Sequence, residues 1–294
     1  MDKPFLKLHI SVVIAGFTGI FGKLISLEAG PLVWYRMLLT SLLFLGYLWV
    51  AGKIPRIPLR EAAKISCLGM LLAIHWICFY GSIKYSNVSV GVVCFALNGF
   101  FAAIFEPIAN RKPISSRELC YSLISVCGIA LMFHFDTHYR TGIILGILSA
   151  ALAALYVVGI RHIGRDRPAT PVFLYQMTGG FLLLTLLVPA YLAMFPETSL
   201  IPTTGDIGYL LLLASVCTIG LFILQIQALQ KISAFTVSLS YNLEPVYSIV
   251  LAMLLFNEAK ELGAPFAAGL ACIVVSVSLQ SLYALRQMRG VTGK

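Results

Sequence analysis

The sequence predicts an all-α integral membrane protein, with ten transmembrane helices arranged as two inverted five-helix repeats. Three observations predict it. Of 294 residues, 59% are hydrophobic and only 11% are charged, whereas soluble domains average roughly a quarter charged. The apolar residues gather in runs of about 20, the length a helix needs to cross a hydrocarbon core. Stretches of the second half of the chain also align with stretches of the first half without gaps.

Taken in order, the apolar runs place helices over 7–26, 31–52, 62–84, 87–109 and 116–134. A second set follows over 141–162, 170–195, 206–229, 232–256 and 262–285. The connections are too short for a soluble domain, so the predicted units are 1–138, the N-terminal repeat, and 139–294, its C-terminal counterpart. The start, M-D-K-P-F-L-K, is basic like a signal peptide. The apolar stretch from Leu8 to Ile25 lacks a small-residue cleavage site, however, so it is read as a retained first helix.

Basic residues set the orientation. With a cytoplasmic N-terminus, sixteen Lys and Arg fall in cytoplasmic segments, Lys53, Arg56, Arg60 and Lys64 among them, against four outside: Lys23, Lys84, Arg140 and Lys260. That is the positive-inside distribution, and it puts both termini on the cytoplasmic side of the cytoplasmic (inner) membrane. The net charge of +9 is then a topology signal rather than a nucleic-acid surface. Seven cysteines in or beside the spans, without a C-x-x-C, read as packing residues.

The internal alignment carries the architecture further. A shift of 146 residues lays Ser82 to Asn110 over Ala228 to Phe256, pairing Asn98 with Glu244 and Phe101 with Tyr247. A shift of 140 pairs P-L-V-W-Y-R, ending at Arg36, with P-V-F-L-Y-Q, ending at Gln176. Each unit holds an odd number of spans, so the second enters the membrane from the opposite side. Inverted repeats with polar groups near the midplane are a transporter signature. At 1.5 Å per residue, Asn98 and Glu244 each lie ~15 Å below their entry surface.

Candidate site residues follow from polarity at that depth. A carboxylate at the bilayer centre costs roughly 2.5 to 3.5 kcal/mol on insertion scales, which makes Glu244 a candidate proton carrier, ligand for an ammonium, or structural acceptor. Pro245 beside it leaves the carbonyl of Tyr241 without its helical partner. Arg36 lies five residues into its span; it either snorkels outward or turns inward to bind a carboxylate or pair with Glu244. The third span supplies His75, Trp76, Phe79 and Tyr80, with His75 a titrating group or hydrogen-bond donor and the rings fit to stack on an aromatic solute or hold a cation. Tyr241 and Ser248 lie one turn from Glu244, and Phe101 one turn from Asn98. Gln225 is preferred over Gln227 because the repeat shift pairs it with Phe79, and Tyr156 completes the predicted substrate-binding set. Glu106, near the cytoplasmic end of its span, is a candidate inner-gate residue. Gly16, Gly19 and Gly22 fit close helix packing. His134, Asp136 and His138 read as a solvated turn rather than a metal site.

The segment A-L-Q-K-I-S-A-F-T-V-S-L, followed by L-E-P-V-Y-S-I-V-L-A-M-L-L-F-N-E and G-A-P-F-A-A-G-L-A-C-I-V-V-S-V, resembles the EamA branch of the drug/metabolite transporter superfamily. The resemblance implies ten helices in two inverted repeats, a central cavity, and export or exchange of small metabolites such as amino acids, nucleobases or drugs. The expectation is a secondary transporter, an exporter or exchanger of a small metabolite such as an amino acid or aromatic solute. It is not an enzyme and needs no cofactor or metal. Its partners are the solute and the lipid bilayer, with protons a candidate coupling ion through Glu244 or His75 and either a monomer or a homodimer allowed. The competing readings are a structural or signalling polytopic protein and an intramembrane enzyme built on His75 with Cys78 or Cys94.

Overall fold

The computed structural model describes residues 3–133, 139–241, 243–256 and 264–292, and these contain helices and connections but no strand. His134, Asp136 and His138 lie outside the described residues. In chain order the first half forms α1 (Lys3–Ala15), α2 (Thr18–Leu24), α3 (Ala29–Val50), α4 (Leu59–Lys84), α5 (Val88–Phe95), α6 (Asn98–Ala109) and α7 (Ser116–Phe133). The second forms α8 (Arg140–Gly164), α9 (Ala169–Met194), α10 (Thr204–Ala214), α11 (Leu221–Leu229), α12 (Ala234–Tyr241), α13 (Glu244–Phe256) and α14 (Ala264–Thr292). A π-helical segment, Ser215–Gly220, joins α10 to α11. Among the described residues, seven helical stretches are long and apolar enough to cross a membrane, and Glu244–Phe256 and Ala267–Ser276 are shorter apolar helices.

Three of the predicted single helices are interrupted. Within 7–26 the chain tightens at Gly16 and Phe17, where the Phe17 amide donates to the carbonyl of Ile14 at 3.2 Å, three residues back rather than four. The carbonyls freed there are not left bare: Ala15 accepts from the Thr18 hydroxyl at 2.7 Å and Gly16 from the Ser248 hydroxyl at 2.8 Å. Irregular backbone at membrane depth persists where such partners exist. Within 87–109 the amides of Ala96 and Leu97 likewise reach only three residues back, to Val93 and Cys94 at 3.0 and 3.1 Å.

The third interruption is seen at Leu243, whose amide reaches only three residues back, to Ser240 at 3.1 Å, and it matches the second. Under the shift of 146 residues α5 begins and ends where α12 does, and Asn98 and Glu244 each open the helix that follows. Pro245 occupies the first turn of α13, where its missing N–H is not needed. The first half breaks in the same place with Gly99 there instead, so the break belongs to both halves and not to the proline.

Packing brings the two interruptions together. α5 lies against α13 and α6 against α12, so the two broken stretches run antiparallel. Around them α4 packs along α8 and α9, α7 along α14, α1 along α11, and α3 along α9 and α10. Each of these contacts crosses from one half of the chain to the other. The buried core therefore lies between the halves, and the broken helices sit inside it.

Candidate functional site

Where the interruptions meet, a small cavity of about 60 Å³ lies between the halves, lined by buried residues. Its polar lining is Thr18, Arg36, His75, Asn98, Gln225 and Glu244. Its rings are Trp76, Phe79 and Phe95 from the first half and Tyr156, Phe222 and Tyr241 from the second. Trp76 meets Phe222 edge-on across the two halves, with centroids 5.5 Å apart, and Phe79 meets Phe95 at 5.7 Å. Edge-to-face pairs of this kind hold ring planes at fixed angles, so the walls are preformed.

Arg36 is 1% exposed, which overturns the snorkelling alternative. Its Nε donates to Thr218 Oγ1 at 2.8 Å, Nη1 to the Tyr80 hydroxyl at 2.7 Å and Nη2 to the carbonyl of Cys217 at 3.1 Å. The guanidinium carbon stands 3.7 Å from the centre of the Trp76 ring. Thr218 and Cys217 belong to the π-helical segment, and the Thr218 hydroxyl in turn donates to the carbonyl of Leu213, five residues back, at 2.7 Å. Arg36 thus binds the irregular stretch of the other half. Every one of these acceptors is neutral.

Glu244 is 3% exposed and lines the same cavity. Thr18, brought there by the break before α2, lines the cavity with it. The direct Arg36–Glu244 pair considered from the sequence is not formed, since the hydrogen bonds of the guanidinium go to Thr218, Tyr80 and Cys217. Beside these two ionisable groups, the amide oxygens of Asn98 and Gln225 are buried without a hydrogen-bond partner. Native interiors leave few such atoms, and both of these residues line the cavity. Gln227, on another face of α11, accepts from the Lys7 ammonium at 2.6 Å.

His75 Nδ1 lies 2.9 Å from both the carbonyl and the hydroxyl of Ser149. A carbonyl only accepts, so the Nδ1 proton serves Ser149, and Nε2 is the nitrogen left for other partners. Tyr156 and Tyr241 point their hydroxyls away into the packing, donating to Gln176 Oε1 at 3.0 Å and Ser11 Oγ at 3.1 Å.

Three residues of the predicted set do not line the cavity. Tyr80 is fully buried behind Arg36. Phe101 stacks on Phe105 with centroids 5.9 Å apart, and Ser248 serves the Gly16 carbonyl. Conversely, Thr18, Phe95 and Phe222 line it without having been among the predicted set. Thr18 carried a usable signal, a hydroxyl two residues past a glycine in an apolar run; the two phenylalanines look like any membrane filler.

The model of the EamA-like transporter family matches residues 4–134 and, a second time, 140–281. The chain belongs to the EamA-like transporter family. The double match is the two-repeat architecture of that family, and this member is an integral multi-pass membrane protein. A solved structure described only as "Crystal structure of protein" aligns with a TM-score of 0.70 over 97% of this chain and 98% of its own, at 17% identity. At that identity the likeness shows the fold. No curated protein matches the chain.

Proposed function

We propose that this EamA-like protein is a secondary transporter that moves a small zwitterionic metabolite, such as an amino acid with an aromatic or apolar side chain, as an exporter or exchanger of the cytoplasmic membrane. One observation carries this reading: a buried cation and a buried carboxylate line one cavity without touching. Each loses several kcal/mol on leaving water, in order-of-magnitude terms. A solute with both an anionic and a cationic end compensates both at once.

The fit can be followed group by group. A guanidinium has five N–H donors; three of those of Arg36 are engaged, leaving two for a solute carboxylate. An ammonium finds Glu244 and the partnerless oxygens of Asn98 and Gln225. Rings from both halves take the remaining body. Ten spans, units 1–138 and 139–294, both termini cytoplasmic, and rocking of the two halves about the cavity complete the proposal. Glu244 and His75 are the groups through which protons would couple.

Thermal unfolding of the purified protein tests the substrate class with three probes of one shape: phenylalanine, phenethylamine and 3-phenylpropionate. Only the zwitterion should raise the melting temperature, as a ligand of the folded state does, and Arg36→Gln and Glu244→Gln should each abolish the shift. Equal shifts from all three probes, or none from a panel of amino acids, would overturn it. In proteoliposomes, transport indifferent to a proton gradient together with full activity of Glu244→Gln would remove proton coupling.

A further inference from the structure

Two carboxylates outside the cavity reach from one half of the chain to the backbone of the other. Asp206, in the first turn of α10, is 2% exposed. It forms a capping box with Thr203, its Oδ2 accepting the Thr203 amide and hydroxyl at 2.9 and 2.7 Å. That already serves the start of α10. In addition Oδ1 accepts the Ser26 amide at 2.7 Å and Oδ2 the Ser26 hydroxyl at 2.6 Å. Ser26 follows α2 in the first half, so these bonds join the halves.

Glu106, near the end of α6, is the second such group. Its two oxygens accept the amides of Ala234 and Phe235 at 3.1 and 2.5 Å, in the first turn of α12. The two contacts sit at opposite ends of the bundle. Lys7, in the first turns of α1, reaches Gln227 near the end of α11, close in sequence to Ala234, whereas α1 and α2 run from there to Ser26. Ala15 and Thr18, midway along that run, line the cavity. The cavity therefore lies between the two carboxylates.

We infer that Asp206 and Glu106 are opposed gate latches, each holding one end of the cavity shut in the state seen here. Access from either side then requires release of one latch while the other stays closed. The inference rests on the alternating-access reading above. A carboxylate on fixed backbone N–H groups is suited to latching, because the bonds are charge-assisted and geometrically demanding and are therefore made or lost together. The donors themselves are neutral, while a cation stands near each carboxylate: Lys84, on the carbonyl of Ile25, beside Asp206, and Arg161, on the carbonyl of Leu229, beside Glu106.

Accessibility of a cysteine in the cavity tests this. Ala153 lines it, and Ala153→Cys in the full chain can be challenged with a membrane-impermeant maleimide in right-side-out and inside-out vesicles, with labelling at position 153 read by mass spectrometry. Asp206→Ala should raise labelling from the Ser26 face, outer by the basic-residue distribution, at least about tenfold, as expected for the loss of a hydrogen bond to a charged group. Glu106→Ala should do so from the opposite face only, and Ser26→Ala should raise labelling on its own face by less than Asp206→Ala. If an alanine variant fails to fold, Asp206→Asn and Glu106→Gln, each keeping one carbonyl oxygen, must show the same face preference. Labelling unchanged, raised on both faces, or raised on the wrong face overturns the latches. Zwitterion binding that survives such a result leaves the substrate class standing; lost zwitterion binding with intact face preference removes only the substrate class.

Discussion

Arg36 and Gln176 hold matching places in the two halves, as do Asn98 and Glu244, and in each pair one side chain is charged while the other is an amide. Gln176 is fully buried and accepts the Tyr156 hydroxyl, whereas Arg36 grips the π-helical segment and faces the cavity. Asn98 and Glu244 open helices that break at the same place. The halves thus share a backbone and differ in charge. Because the cationic side chain comes from one half and the carboxyl group from the other, the cavity has a polarity that its near-symmetric backbone lacks, and the proposed zwitterion would fit it in one orientation.

That comparison can be broken at several points. The largest effect is expected from Glu244→Gln, which makes both halves amides at this place. Removing one member of a buried charge pair costs about 3 to 5 kcal/mol, so zwitterion affinity measured by calorimetry should fall at least about a hundredfold; unchanged affinity would mean that the charge difference is idle. Asn98→Asp makes the halves alike in the other direction. A second carboxylate should attract cations and disfavour a solute carboxylate, so phenethylamine should begin to stabilise the protein while the zwitterion binds about tenfold more weakly. Asn98→Ala removes only a hydrogen-bonding group, worth about 1 kcal/mol, and should weaken calorimetric binding by about fivefold. The smallest change is expected from Pro245→Gly, which copies Gly99. If the break belongs to the repeat, stability should move by no more than about 1 kcal/mol and binding should hold within about twofold.

Much of the architecture was legible because it rests on long-range averages. Apolar runs announced helices, and the shift of 146 residues set Asn98 against Glu244 before any coordinates, as the matched breaks of α5–α6 and α12–α13 now do in space. The breaks themselves were only half visible. Pro245 marked one, but the turns at Gly16–Phe17 and Ala96–Leu97 form by amides reaching three residues back instead of four, a change too small for any residue type to advertise. Rings posed a different difficulty. Phe95 and Phe222 line the cavity while Phe101 packs away from it, and nothing in their composition separates them, since the choice depends on neighbouring helices. Arg36 had two open readings because depth alone does not say which way a long side chain turns; its acceptors in the second half decided it. Asp206 drew no reading from the sequence, because its partner Ser26 lies 180 residues away in the chain.

The π-helical segment Ser215–Gly220 has a consequence for everything after it. Each residue there advances less far around the axis than an α-helical residue does, so over six residues the phase lags by roughly 100°, about one α-helical position. α11 is therefore dialled round relative to α10, and this setting is what turns Phe222 and Gln225 toward the cavity. Arg36, by holding the carbonyl of Cys217 and the hydroxyl of Thr218, acts on that dial from the other half of the chain. Deleting one residue between Ser215 and Gly220 would let the stretch wind as a plain α-helix, with its length shortened by one position and its inward face kept.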